Sequence, residues 1–401
     1  MRRFKVIDKI KNSSKLIRIE SVVFSILLII IFSNQFHFLW LLYDFIALGA
    51  LSFYLLNNRL VLNAILIIII PYFLVFSFLS GNHIISFLSI WDNAKHLFVL
   101  FMMLTLVDRY ANHRRFELFL RDIGVIFPVV FFIQIFVVNY QFFNNYFIDD
   151  IAGTFGSMSS HSLGYFCLMY LSYLLFLTKS KLYFSIVLVI SLILNFMSEN
   201  TGFFLLLVVL LVFNWFRFYP LRKLVFYTIF LIITVVIIDV FLGGQLISPI
   251  IGRIMKSSTN LMTGDMSVVS ASRGFLMVYA FMLGGWFGLG PGSYSECYSI
   301  SGWLLDSLLD GRLQINISTV TTFLVEYGVV GLLAWIILYL VFLRYFFKDY
   351  KTKVFVSLFF LLCLFYNKLL RDERVIFMLI FIFTFIKIRL NRYSIKNYKI
   401  K

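Results

Sequence analysis

Residues 319–343 read TVTTFLVEYGVVGLLAWIILYLVFL, twenty-five positions carrying a single charge, Glu326. A transmembrane helix needs about 20 consecutive, mostly apolar residues, so this run is long enough to cross a bilayer as one helix. Glu326 falls eight residues into it, where a carboxylate is expensive and, when present, usually functional. Runs of the same kind recur along the chain. Apolar stretches near spanning length fall at about 17–34, 37–56, 60–79, 84–107, 122–143, 158–177, 182–197, 201–216, 224–243, 319–343, 354–370 and 375–390. About twelve spans are therefore expected, in an all-α polytopic integral membrane protein. Composition agrees: the 401 residues are 61% hydrophobic, 19% aromatic and only 13% charged, with mean hydropathy +0.95. A soluble domain carries roughly 25% charged residues.

The net charge of +16 invites a nucleic-acid reading, but the positions of the charges exclude it. Lys and Arg gather at the ends of apolar runs, as residues that fix membrane orientation do. With a cytoplasmic N-terminus, the inner connections hold 27 of the 35 Lys and Arg. Both termini are thus expected on the cytoplasmic side. Within 84–107, Asp92, Lys95 and His96 leave two readings, a charged span or an interfacial turn. Asp44 and Asp239 also fall inside expected spans. Cys167, Cys297 and Cys363 show no metal spacing and no obvious pair, so neither zinc nor a disulfide is expected. The first apolar run follows the basic segment 1–15 and lacks a small-residue cleavage site, so it reads as a retained anchor.

This threading divides the chain into a bundle of nine spans over 1–243, one large outer loop over 244–318, and the last three spans with a basic tail over 319–401. A loop of that length in a chain of otherwise short connections is usually functional. It carries Arg253, Lys256, Arg273 and Arg312 with Asp265, Glu296, Asp306 and Asp310. A smaller outer loop near 144–157, with Asp149 and Asp150, leads into GTFGSMSSHSLGYF (153–166).

Inside the large loop, SRGFLMVYAFMLGGWFGLGPGSY (272–294) has ten residues between Arg273 and Gly284, too few to span. The segment is expected to lie in the interface or to re-enter, with Arg273 at its N-terminal end. The glycines and Pro291 then end the helix sharply. On one reading, Arg273 and free backbone amides face a lipid-linked phosphate, which a guanidinium fork binds bidentately. On the other, Arg273 snorkels to headgroups and the glycines let helices pack. The string is not a dinucleotide fingerprint, because no strand–helix–strand unit surrounds it.

Several stretches together carry a resemblance. GTFGSMSSHSLGYF resembles the Gly-x-Phe-Gly…Asn/His-x-Leu-Gly entry to a central span in the Wzy-type O-antigen and capsular polysaccharide polymerases, which share a membrane superfamily with the O-antigen ligases. MSENTGFFLLLVVLLVF (197–213) sits where that family has a short outer turn before an apolar helix. RGFLMVYAFMLG (273–284) is similar to its Arg-then-ten-then-Gly signature, and GLGPGSY (288–294) to its Gly-x-Gly-Pro-Gly-Ser-Phe/Tyr element. TTFLVEYGVVGLL (321–333) resembles the Glu-x-Gly start of the helix after the large loop. The resemblance covers about 150–345. Arg253 and Gly264 also fit the Arg-x10-Gly spacing, a match that common glycine makes easy. In the central turn, Glu199-Asn200-Thr201-Gly202 stands where many relatives have an arginine. Where the ligases carry a His and its neighbour, this chain has Ile317 and Ser318, which favours a polymerase.

The resemblance implies a GT-C-like architecture in the bacterial cytoplasmic membrane. It also implies transfer of a growing glycan from undecaprenyl diphosphate to the terminal sugar hydroxyl of a new lipid-linked repeat unit. No cofactor is implied; the partners are the lipid-linked oligosaccharide and membrane lipids, with a chain-length regulator and a flippase in the same process. Cations must neutralise the leaving diphosphate, and a base must take the acceptor proton. Arg273 is the first choice for the cation, with Arg253 and Arg312 next and Gly290, Gly292 and Tyr294 lining the same element. His161, Glu199 and Glu326 are the candidate bases. Two of them have a plainer alternative: His161 caps a helix, and Glu326 satisfies a nearby arginine. A ligase, a protein O-oligosaccharyltransferase and a flippase remain the rival functions. A flippase or other transporter would usually show internal repeats with paired broken helices, and none is found.

Overall fold

The structure, a computed structural model, describes residues 44–49, 51–52, 83–110, 114–144, 146, 151–155, 160–178, 180–198, 200–218, 273–291, 293, 318–366 and 372–398. They are nearly all helical: α1 (His83–Tyr110), α2 (Arg114–Phe143), a 3-10 turn (Gly153–Phe155), α3 (Ser160–Leu177), α4 (Lys181–Met197), α5 (Thr201–Phe218), α6 (Arg273–Gly284), α7 (Thr319–Phe346), α8 (Tyr350–Tyr366) and α9 (Glu373–Tyr398). Eight of the expected spans coincide with α1–α5 and α7–α9. Those at 17–34, 60–79 and 224–243 lie outside the described residues, and 37–56 is described only at 44–49 and 51–52. Among the described residues, four helices are long and apolar enough to cross a membrane: Ile90–Asp108, Leu118–Phe143, Ser160–Leu177 and Thr319–Phe346. This is the make-up of an all-α membrane protein. In lipid a segment must satisfy its own backbone groups, which helices do internally.

Polar side chains start the helices. Ser180 accepts from the Tyr183 amide before α4, and Ser318 forms a reciprocal capping box with Thr321 before α7. Asn200 Oδ1 accepts from the Phe203 amide before α5. Outward ridges are apolar. On α2, Val125, Val129, Phe132, Phe136, Tyr140 and Phe143 are exposed at near-helical spacing, and on α7 so are Val330, Leu333, Ile337, Val341 and Tyr345. Such stripes are what a lipid-facing surface requires, since acyl chains carry no penalty for contact with them.

The chain divides into two compact units. The first holds Met1–Arg59, Lys95–Leu207 and Asp372–Lys401. Its centre is α3 beside α9, with Val375 to Ile388 buried without a break. The two helices run parallel: His161 meets Asp372 near their starts, and the Tyr173 and Phe385 rings lie 5.6 Å apart about three turns on. α2 runs antiparallel along α3, with Tyr173 Oη donating to the Leu120 carbonyl at 2.8 Å and Phe127 wedged against Phe166, Tyr170, Tyr173 and Phe385. The 84–107 segment resolves as continuous helix rather than an interfacial turn. Lys95 and His96 are buried in it, and Lys95 Nζ lies 3.0 Å from Asp44 Oδ1. A buried ammonium is tolerable only when paired in this way.

The second unit holds Leu60–Ala94 and Val208–Arg371. Here α6 packs against α7 and α7 against α8, where the Tyr339 and Phe360 rings stack at 4.9 Å. Tyr339 Oη also donates to the Asn93 carbonyl at 2.9 Å, and Asn93 Nδ2 donates to Tyr327 Oη at 3.0 Å. The 319–343 run is one helix by extent but kinks at Gly328, whose φ of 63° and ψ of −169° only glycine adopts readily.

Candidate functional site

The described site is built from α3 and α9 in the first unit. Asp372 stands in the short connection before α9 and caps it: its Oδ1 accepts from the Arg374 amide at 3.0 Å. Arg374, one position into the first turn after Glu373, folds back on the same carboxylate. Its Nε donates to Oδ1 at 3.0 Å and its Nη2 to Oδ2 at 2.9 Å, a two-pronged ion pair. Oδ2 also meets His161 Nε2, from the first turn of α3, at 3.2 Å. The Asp372 side chain is 8% exposed and that of His161 24%. Burial alone would raise the Asp372 carboxyl, but the hydrogen bond from His161 and the Arg374 guanidinium more than offset it and hold the group well below the usual carboxylate range.

The cluster is braced from α2. Arg374 Nη1 donates to the Phe155 carbonyl at 2.7 Å, tying α9 to the 3-10 turn. Gln134 Oε1 accepts from the Thr154 amide at 2.9 Å and its Nε2 donates to Thr154 Oγ1 at 2.7 Å. Gln141 Oε1 accepts from the Ala152 and Gly153 amides, and its Nε2 donates to the Gly153 carbonyl at 3.0 Å. From the other flank, Asn200 Nδ2 donates to the Ser160 carbonyl at 3.0 Å. The imidazole of His161 is thus seated on a carboxylate that stays ionised, and beside it the 3-10 turn and the Ser160 carbonyl are held by Gln134, Gln141 and Asn200. Toward the other end of α9, Asp108 Oδ1 of α1 lies 3.1 Å from Lys387 Nζ and accepts from Asn391 Nδ2 at 3.3 Å. The unit thus has two chemically distinct ends.

Arg273 begins α6, as its spacing led us to expect, and its side chain lies outside the described residues. Glu199, Arg253, Arg312, Gly292 and Tyr294 lie outside them too. Glu326 is 1% exposed inside α7. The glycine turn after α6 differs from the expectation of free amides. The amides of Leu289 and Gly290 donate to the Val325 and Glu326 carbonyls at 2.9 Å each, and those of Val329 and Val330 donate to the Gly285 and Trp286 carbonyls at 3.2 and 3.1 Å. A Cβ on Gly288 would strike the Glu326 carbonyl, and one on Gly328 the Trp286 carbonyl. The turn is a backbone-to-backbone dock against the kink of α7. The Gly290 amide, expected to face phosphate, is occupied by that dock.

Sequence reading missed Asp372 and Arg374. The signal was present as RDER (371–374), consecutive charges in a short connection between two apolar runs. Among the described residues, no group of three His, Cys, Asp or Glu is placed to hold a metal ion. No protein-family model matches the chain, and no curated protein matches it.

Proposed function

We propose that this protein is a polysaccharide polymerase of the Wzy type, joining undecaprenyl-diphosphate-linked repeat units on the outer face of the bacterial cytoplasmic membrane. The observation that carries the reading is the His161–Asp372–Arg374 cluster, an imidazole on an ionised carboxylate at the starts of two apolar helices. A transporter gathers its ionisable groups near the bilayer midplane. Helix starts are at the depth of headgroups, where the sugars of a lipid-linked donor and acceptor reside. Under the charge-based threading of about twelve spans, the connections before α3 and before α9 both fall outside, as does the large loop. The sequence resemblance over about 150–345 supports the same class, including its GT-C-like architecture.

In this reading His161 takes the acceptor proton, being better exposed than Glu326. Arg273 faces the leaving diphosphate, with Arg253 and Arg312 next in line. The test is reconstitution in vesicles with a lipid-linked repeat unit, reading product length on a gel. A ladder of multiples supports the proposal. Transfer only to lipid A or to protein would assign a ligase or O-oligosaccharyltransferase instead, and movement of the lipid without new bonds a flippase.

A further inference from the structure

Asp372 has a place in this chemistry that sequence reading did not assign. We infer that Asp372 is the positioning residue for His161, accepting its Nε2 proton so that Nδ1 keeps its lone pair and is the nitrogen that takes the acceptor hydroxyl proton. This rests on the glycosyl-transfer reading. An ionised carboxylate can only accept, so a hydrogen bond to Asp372 Oδ2 at 3.2 Å requires the proton on His161 Nε2. Asp372 stays ionised because Arg374 saturates its other lone pairs, through the backbone amide and Nε on Oδ1 and through Nη2 on Oδ2. Among the described residues, Asp372 is the single side chain hydrogen-bonded to the His161 ring. Arg374 is a brace for the pair, since its guanidinium is spread between Asp372 and the Phe155 carbonyl.

The acceptor hydroxyl oxygen bonds to the anomeric carbon while the bond from that carbon to the diphosphate oxygen breaks, its electron pair leaving on the lipid diphosphate. The hydroxyl proton moves to His161 Nδ1, giving an imidazolium that Asp372 stabilises, and water then removes it. Arranged in this way, a carboxylate fixes the tautomer and orientation of the base without itself becoming protonated.

The experiment is nitrogen NMR of the full chain in nanodiscs, labelled at its five histidines, at a pH that keeps imidazole neutral. The His161 signal is assigned by its loss in His161→Gln. The wild type is expected to show the Nε2–H tautomer, Asp372→Glu to retain it, and Asp372→Asn to lose the preference. In the polymer assay, Asp372→Asn is expected to lower kcat about a hundredfold or more with little change in acceptor KM. A wild-type Nδ1–H tautomer overturns the inference, and so does Asp372→Asn with both tautomer and ladder unchanged. Should Asp372→Asn fold poorly, the wild-type and Asp372→Glu spectra decide the matter. A wild type with the Nε2–H tautomer but no ladder would sink the polymerase reading while leaving the pairing intact.

Discussion

Asp372 Oδ2 and His161 Nε2 lie 3.2 Å apart although 211 positions separate them in the chain. The contact also fixes the parallel register of α3 and α9. Where an ion pair is this enclosed, losing one member leaves the other charged and unsatisfied, at a cost of about 3–5 kcal/mol. Arg374→Ala is therefore expected to lower the stability of detergent-solubilised protein by roughly that amount, since it strands the Asp372 carboxylate. Arg374→Lys should recover only part of it, because an ammonium cannot hold both carboxylate oxygens and the Phe155 carbonyl in one plane. Thermal unfolding read by tryptophan fluorescence checks the order.

The acid dependence follows from the sign of the Asp372 shift. Its carboxyl is held below the usual range in the folded protein, so the stabilisation is present above the unfolded value of about 4 and is lost only as pH falls through the lower folded value. The stability difference between wild type and Asp372→Asn should be no smaller at pH 5 than at pH 8, and should shrink below about pH 4. A collapse of that difference between pH 7 and 5 would contradict the arrangement.

Gly328 is a point of close backbone approach in the dock between α6 and α7. Its backbone conformation costs any other residue about 1–3 kcal/mol, and an added methyl also meets the Trp286 carbonyl and the Gly288 amide. Gly328→Ala is expected to destabilise by about 3 kcal/mol or more, seen as a sharp drop in membrane abundance. Gly285→Ala has open space around its Cβ and meets only the backbone strain of its φ of 58°, about 1–2 kcal/mol. Equal effects of the two would show that the dock is not tight.

Arg273 tests the leaving-group end of the proposed reaction. Arg273→Ala should abolish polymer while membrane abundance stays normal, and Arg273→Lys should restore it only in part, having lost the planar fork. Snorkelling to headgroups predicts the reverse: Lys as good as Arg, and a measurable ladder even with Ala. Full activity in Arg273→Lys would move the role to Arg253 or Arg312.

Orientation is open to direct labelling. With 27 of the 35 Lys and Arg on one side of the threading, the 244–318 segment should face outward. In a background without native cysteines, Asp310→Cys should react with an impermeant thiol reagent in intact cells. Reaction only after the inner membrane is permeabilised would reverse the assignment.

What the sequence determined by itself was the helical, membrane-type character of the chain and the approximate extents of α1–α5 and α7–α9. Those follow from apolar length and from capping side chains such as Ser318, which are local properties. It also picked out His161 and the start of α6 at Arg273. Only the tertiary structure decided what His161 faces, because the pairing with Asp372 depends on α3 and α9 packing in parallel, and hydropathy carries no information about which apolar faces meet. It likewise decided the fate of the glycine turn. A run of glycines permits either a phosphate cradle or a close backbone approach, and the choice was made by the carbonyls of Val325 and Glu326, which the kink at Gly328 leaves facing the amides of Leu289 and Gly290.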